Sequence, residues 1–366
     1  MNKLFELIKH FCTEGTVMSI DPLGKGHIND SFVVKTKEAE KPDYLLQRIN
    51  HHIFKDVELL QNNILNITNH IRKKLIDKGV SGIERKVLTI ITSKDGKLYY
   101  FDGENYWRVY RYISGGKSYD TITPPLAFEA GKAFGEFQGY LADIPEKIEE
   151  TIPCFHNMEF RLEQFRDAVR QDAAGRVADQ HSLIEAIESR AENMCKVERM
   201  GREGILPKRI NHCDTKVNNI LFDDKGQTLC VVDLDTVMPG YVLSDFGDFI
   251  RTGANTGAED DPDLENVGID IDIYAAYTRG YLETARAFLL PVEIENLPFG
   301  ANLLTYMQSV RFFTDYLNGD TYYKIHFSEH NLQRTKAQLK LLQDLEDKHD
   351  QLKSFFTLEK LYKYEN

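Results

Sequence analysis

Cysteine is scarce: Cys12, Cys154, Cys195, Cys213 and Cys230 are the only five in 366 residues, and no two stand as C-x-x-C. An odd count without paired spacing argues against a disulfide framework and fits reduced thiols in the cytosol. No stretch approaches the ~20 apolar residues that a membrane-spanning helix needs. The first residues, MNKLFELIKHFCTEG, lack the long apolar segment and small-residue cleavage site of a signal peptide, so a soluble, cytoplasmic protein is expected. Positive charge is in deficit. Lys and Arg number 45 against 57 Asp and Glu, a net charge of −12, and the acids are spread along the chain. That argues against a general nucleic-acid or anionic-membrane partner. No internal repeat and no low-complexity tail occur. What remains is an ordinary globular balance, 42% hydrophobic and 28% charged, in a chain long enough for two lobes with their own cores.

The amphipathic start, residues 1–12, reads as a helix. Val17 to Asp21, Phe32 to Thr36 and Tyr44 to Ile49 read as strands. Residues 55 to 77 repeat at helical spacing, with Val57, Leu60, Ile64, Ile67, Ile71 and Leu75 on one face. A meander follows: strands at Val87 to Thr92, Lys97 to Phe101 and Tyr106 to Ile113, with turns at Ser93-Lys94-Asp95-Gly96 and Asp102-Gly103. At Ser114-Gly115-Gly116-Lys117 the pattern changes to helices, expected at 126–141, 159–171, 182–200, 271–288, 291–316 and 332–362. The polar break at 172–175 reads as a bend, and the acidic run Glu259 to Asp263 as a solvated loop without a chemical role. The expected class is therefore α+β: a small antiparallel β-rich lobe, 1–113, and a larger, mainly helical lobe, 114–366. Ligand clefts commonly lie where two such lobes meet.

Between those helices lies NHCDTKVNNILFDDKGQTLCVVDLDTVMPGYVLSDFGDFIR, residues 211–251. His212, Asp214 and Asn219 form H-x-D-x-x-x-x-N. A turn at Asp223 to Gly226 and an apolar run, Leu229 to Val232, then deliver Asp233. This places acids and an amide at the ends of short strands. Phosphoryl transfer needs one carboxylate to align a hydroxyl and take its proton, and oxygen donors to hold Mg²⁺ on the phosphates. Upstream, Gly24 and Gly26 flank Lys25 between two strands. On local evidence they are as much a plain turn as a phosphate cradle, and no G-K-[ST] follows at P-loop spacing.

These residues resemble the aminoglycoside phosphotransferase and choline kinase superfamily, distant relatives of the protein kinases, whose catalytic loop has the same Asp-to-Asn spacing. Within that group GHIND (26–30), YLLQRIN (44–50), WRVYRYI (107–113), DLDTVMPG (233–240), DFGDFIR (245–251) and R-x-x-x-DYL-x-GD-x-Y (311–322) are similar to bacterial N-acetylhexosamine 1-kinases. The fragments span nearly the whole chain, and their combination is specific where each alone is not. The resemblance implies a protein-kinase-like two-lobe fold with ATP and Mg²⁺. Asp214 would be the base, and Asn219 and Asp233 the metal ligands. His27, Arg311 and Tyr322 would line the sugar pocket, with Asn29 adjacent, and Arg111, Tyr112 and Ile113 would form the hinge that receives adenine. The product would be the 1-phosphate of N-acetylglucosamine or N-acetylgalactosamine. A monomer is expected, with the sugar and the nucleotide as its partners.

Two departures from the family pattern stand out. Many relatives carry a Lys or Arg on the third strand where Gln47 stands. Strand alternation puts Gln47 and Arg48 on opposite faces, so Gln47 bonds phosphates without charge, or Arg48 or Lys25 takes over. Asp245-Phe246-Gly247 spells the kinase metal motif, but Asp233 follows Asp214 at the shorter spacing that such folds use. Asp245 is read as accepting hydrogen bonds from the catalytic loop or His212. Asp235 is read either as standing behind the metal site or as exposed, and Arg311 has a rival role in an ion pair with Asp315. Three other readings remain: a kinase for choline, an aminoglycoside or homoserine; a two-metal hydrolase using His212, Asp214, Asp233 and Asp235; and a non-catalytic kinase-like module.

Overall fold

The structure, a computed structural model, describes residues 2–24 and 29–356. The chain divides into two compact units, each discontinuous in sequence: 1–118 with 140–153 and 220–238, and 119–139 with 154–219 and 239–366.

The first unit is built on an antiparallel sheet. Its elements are α1 (Asn2–Ile8), β1 (Val17–Pro22), β2 (Asp30–Thr36), β3 (Tyr44–Ile49), α2 (Val57–Asp77), β4 (Ile90–Ile91), β5 (Tyr100–Phe101) and β6 (Tyr106–Arg111). The strand order is β1-β2-β3-β6-β4, with β5 also on β6. Alternation decides which side chains meet. Leu46, Trp107 and Val109 join Leu7, Ile8, Phe11, Ile20, Val34 and Tyr44 in one buried cluster. Gln47 and Arg108, paired across β3 and β6, lie on the opposite face. Helix α2 is capped by Asp56, whose carboxylate accepts from Leu59 N–H at 2.9 Å, and all six residues of its expected apolar face are buried. The expected strand 87–92 shrinks to two residues. Its backbone is diverted: the Leu88 carbonyl accepts from the Arg72 guanidinium, and the Thr92 carbonyl from Cys12 N–H.

The hairpin after Asn219, β7 (Ile220–Phe222) and β8 (Thr228–Val231), was expected within the helical lobe but clusters with this sheet unit. Lys117 and Phe222 exchange two backbone hydrogen bonds of 2.9 and 2.8 Å, and Lys86 donates to the Thr228 carbonyl at 2.8 Å. These ties come from loop residues, where no periodicity announces them.

The second unit is helical: α3 (Pro124–Leu141), α4 (Met158–Gln171), α5 (His181–Met194), α6 (Lys196–Arg202), α7 (Val242–Gly253), α8 (Ile271–Ala285), α9 (Pro291–Leu317), α10 (His330–Asp347) and α11 (His349–Ser354). The break after α4 is a true stop. Asp172 adopts φ +42°, and its carboxylate caps Arg176 and Val177 N–H at 2.8 and 3.1 Å. The helix α7 was not expected, although Val242, Phe246, Phe249 and Ile250 carry the i, i+4, i+7, i+8 spacing that identifies one. Two helix crossings are made by glycine. A Cβ on Gly247 of α7 would stand 2.0 Å from the Gly300 carbonyl oxygen of α9, and one on Gly280 of α8 would stand 1.9 Å from the Phe128 carbonyl oxygen of α3. No helix among the described residues is long and apolar enough to cross a membrane.

Candidate active site

In the second unit the segment 209–211 is extended and leads into the loop His212–Asn219. The loop is held from α7. The Asp245 carboxylate accepts from His212 N–H at 2.7 Å, Cys213 N–H at 2.8 Å and the Gln138 amide at 2.8 Å. Three residues on, and so on the same helix face, Asp248 accepts from Thr215 N–H at 3.0 Å and from Arg251. The Thr215 hydroxyl donates to the Asp245 carbonyl at 2.6 Å. Asp245 therefore takes the loop-holding role read from its spacing. Burial pushes its carboxyl up, despite the N–H groups aimed at it. The acidic run at 259–263 is anchored rather than merely solvated. Glu259 pairs with the buried Arg251 at 2.6 Å, and Asp260 with His330 at 2.7 Å.

Asp214 follows Cys213, which is held at φ +61°, in the left-handed region. One Asp214 carboxylate oxygen meets the Lys216 ammonium at 2.9 Å; the other accepts from the Asn219 amide at 3.0 Å. Burial works to raise the Asp214 pKa, but the Lys216 charge and hydrogen bond, with His212 and Asn219 behind them, outweigh it and bring it to about 2. Lys216 is held charged in return, chiefly by Asp214. Because Asn219 spends its amide nitrogen on Asp214, its oxygen faces outward from that contact, a hard donor suited to Mg²⁺.

In the first unit, Asp233 follows β8 with φ +58° and opens a short 3₁₀ turn, Leu234–Thr236. Asp235 in that turn is buried, which removes the exposed reading. It accepts two hydrogen bonds from Arg108, 2.5 and 3.0 Å, and one from the Asn29 amide at 2.6 Å. Arg108 is 1% exposed. Burial works to lower its pKa, but Asp235 above all, with smaller help from Asp233, outweighs this and raises it. Gln47 is part of the same network: it accepts from Arg108 at 3.0 Å and donates to the Ser31 hydroxyl at 2.8 Å. The guanidinium beside Gln47 thus comes from β6 and is buried against Asp235. Sequence reasoning passed over Arg108, yet a charged residue in the apolar run YWRVYR was its signal.

The remaining nucleotide candidates are also in the first unit. Arg48 lies on the opposite face from Gln47 and bonds Asp30 and Asn105. Gly24 has φ +63°, and among the described residues nothing lies within 4 Å of where a Cβ would stand. Arg111 and Tyr112 line a cavity of about 410 Å³, and Ile113 is buried. The Asn29 side chain is engaged at both ends, by Asp235 and by Asn50 N–H at 2.9 Å. Lys25, Gly26 and His27 lie outside the described residues.

Arg311 and Tyr322 come together in the second unit, on a cavity of about 350 Å³ between α4 and α9. The rival ion pair with Asp315 is not formed. The Asp315 carboxylate instead accepts from Thr321, Tyr322 and Tyr323 N–H at 2.9, 2.8 and 2.9 Å and from the Asn331 amide. Arg161, absent from the sequence-based candidates, lines the same cavity.

Comparison with known proteins follows this geometry. The model of the phosphotransferase enzyme family matches residues 19–288. Among solved structures, an aminoglycoside phosphotransferase from Alicyclobacillus acidocaldarius superposes with a TM-score of 0.63 at 11% identity, covering 96% of each chain. A spectinomycin phosphotransferase in complex with ADP and spectinomycin gives 0.60 at 13% identity, covering 96% of this chain and 98% of that one. A choline kinase from Cryptosporidium parvum gives 0.59 at 14% identity, covering 97% and 99%. An antiparallel β-sheet N-terminal region with a helical C-terminal region is the kinase-like fold of these neighbours.

Proposed function

The chain belongs to the phosphotransferase enzyme family, and from that premise we propose that it is an ATP- and Mg²⁺-dependent sugar kinase acting on the anomeric hydroxyl of an N-acetylhexosamine. The observation that carries this reading is the Asp214 carboxylate, kept ionised by Lys216 and steadied by the Asn219 amide. Asp214 accepts the proton of the sugar hydroxyl. The oxygen attacks the γ-phosphorus as the bond to the ADP oxygen breaks, so the products are the sugar 1-phosphate and ADP. Such transition states are loose, and most of the rate gain comes from alignment and charge placement. Asn219 and Asp233 supply the oxygen donors that would hold Mg²⁺, whose contribution is to offset charge on the phosphate oxygens. Gly24, the segment Arg111–Ile113 and one of Gln47 and Arg48, which lie on opposite faces of β3, are the proposed nucleotide contacts. The ADP held by the spectinomycin phosphotransferase supports a nucleotide substrate. His27, Asn29, Arg311 and Tyr322 are the proposed sugar contacts.

The test is an ADP-release panel with Mg·ATP and N-acetylglucosamine, N-acetylgalactosamine, glucose, choline, kanamycin and homoserine. Turnover highest with the two N-acetylhexosamines is expected. Preference for choline or kanamycin would overturn the acceptor assignment, and no ADP with any acceptor would overturn the kinase reading.

A further inference from the structure

The loop that joins α7 to α8 is closed at its neck. Asp270 N–H donates to the Ala254 carbonyl at 2.8 Å, and Thr256 N–H to the Gly268 carbonyl at 2.9 Å. A compact loop whose ends already touch has no gap to span. What it carries is Glu259 and Asp260. Asp260 pins it to α10: its carboxylate lies 2.7 Å from Nε2 of the buried His330, and its carbonyl accepts from the Gln333 amide. Glu259 is exposed and turns back to α7, where it accepts from Arg251 Nη1 at 2.6 Å. Arg251 spends its other two nitrogens, Nε and Nη2, on one oxygen of Asp248, at 3.2 and 2.9 Å. The second Asp248 oxygen accepts from Thr215 N–H at 3.0 Å. Thr215 directly follows Asp214. Hydrogen bonds inside one unit thus run from a surface carboxylate to the backbone beside the proposed base. Lys216, which meets Asp214 at 2.9 Å, is held charged by Asp214 first, and then by Asp248 and Glu259.

We propose that Glu259 is a positioning residue for phosphoryl transfer: by engaging the outer nitrogen of Arg251 it leaves one Asp248 oxygen to Thr215 N–H, and so holds the direction of the Asp214 carboxylate. The proposal rests on the reading of Asp214 as the base. A guanidinium is a rigid fork of donors, and it pairs most readily with both oxygens of a carboxylate at once. Without Glu259, the buried Nη1 of Arg251 loses its acceptor and competes for the Asp248 oxygen that Thr215 uses. The Thr215 N–H then loosens, and the loop that carries Asp214 loosens with it. Arg251 and Asp248 still balance in charge, so no buried ion is stranded and the fold is kept. An exposed ion pair of this kind adds little to stability by itself, which separates positioning from bulk structural support.

The test uses the full chain with Mg·ATP and N-acetylglucosamine. Glu259→Gln is expected to lower kcat about tenfold, less than the roughly 10²-fold that a ~1 Å misplacement of a reacting group can cost. KM for ATP, whose proposed protein contacts all lie in the first unit, is expected to stay as it is. Glu259→Asp, which keeps the charge, should recover most of the loss. If Glu259→Gln fails to fold, Asp260→Ala, which frees the loop from His330, should lower kcat in the same way. A native kcat, a fall matched by an equal rise in KM for ATP, or a loss that Glu259→Asp does not reduce overturns the proposal. Amide hydrogen exchange of the same variants, read by mass spectrometry, needs no acceptor. The peptide containing Thr215 should exchange faster in Glu259→Gln than in the native chain while α3 exchanges as before, and equal exchange of that peptide overturns the proposal. If the native chain releases no ADP with any acceptor, the function proposed above fails, and the exchange measurement still decides whether Glu259 holds the loop.

Discussion

Arg108 and Asp235 face each other through two hydrogen bonds, 2.5 and 3.0 Å, and their side chains are 2% and 3% exposed. A buried pair of this kind gains little over a well-packed apolar substitute, but losing one partner strands a charge. The pair joins β6 to the turn that begins at Asp233, so its geometry sets where that turn sits.

Removing one member should therefore cost far more than removing both. Arg108→Met is expected to destabilise the chain by about 3–5 kcal/mol. Arg108→Met with Asp235→Leu should recover most of that loss. Urea unfolding of the two single variants, the double variant and the native chain gives the coupling directly. Additive losses would mean that the two charges do not depend on each other.

Asp214→Asn keeps the volume and the contact with Asn219 but removes the proposed base. Turnover should fall by roughly 10²–10⁴-fold while Mg·ADP still binds. Single-turnover kinetics and calorimetric ADP titration separate the two effects. Near-native turnover would assign the proton transfer elsewhere.

The acid side of the pH profile reports on Lys216. The Asp214 pKa is depressed, so its active carboxylate form is present above about pH 2 and is lost only as pH falls through that value. Lys216→Met removes the largest of the lowering influences and leaves burial unopposed by that charge. The acid limb of kcat should move to higher pH, towards neutrality. A limb that stays in place would show that another group sets it.

Asp233 and Asp245 should separate cleanly, although the second spells the familiar metal motif. Asp245→Ala strands the buried N–H groups of His212 and Cys213 and is expected to cost about 2–5 kcal/mol of stability. Asp233→Ala should instead raise the Mg²⁺ concentration needed for nucleotide binding. Thermal melts and Mg²⁺ titrations of both variants check the assignment, and the reverse pattern would exchange the two roles.

What was legible in the sequence followed from periodicity and spacing. The six apolar positions of α2 and the alternation of β3 come from local rules, and the loop-holding part of Asp245 from its long spacing to Asp214 set against the kinase-like pattern. Arg108 was hidden because its partner, Asp235, is far away in sequence, so no window contains both. The anchoring of the hairpin by Lys117 and Lys86 was hidden for the same reason. Asp315 could be excluded as an ion-pair partner for Arg311 only once its four N–H donors were seen.

At Gly247 and Gly280 the main chains of neighbouring helices come nearly into touch. Helices joined that closely cannot shift along or roll over one another without a collision of backbone atoms. The face of α7 that carries Asp245 and Asp248 is thereby fixed in height and azimuth. Change in the loop His212–Asn219 would have to come through its own side chains, while the frame beneath it stays as it is.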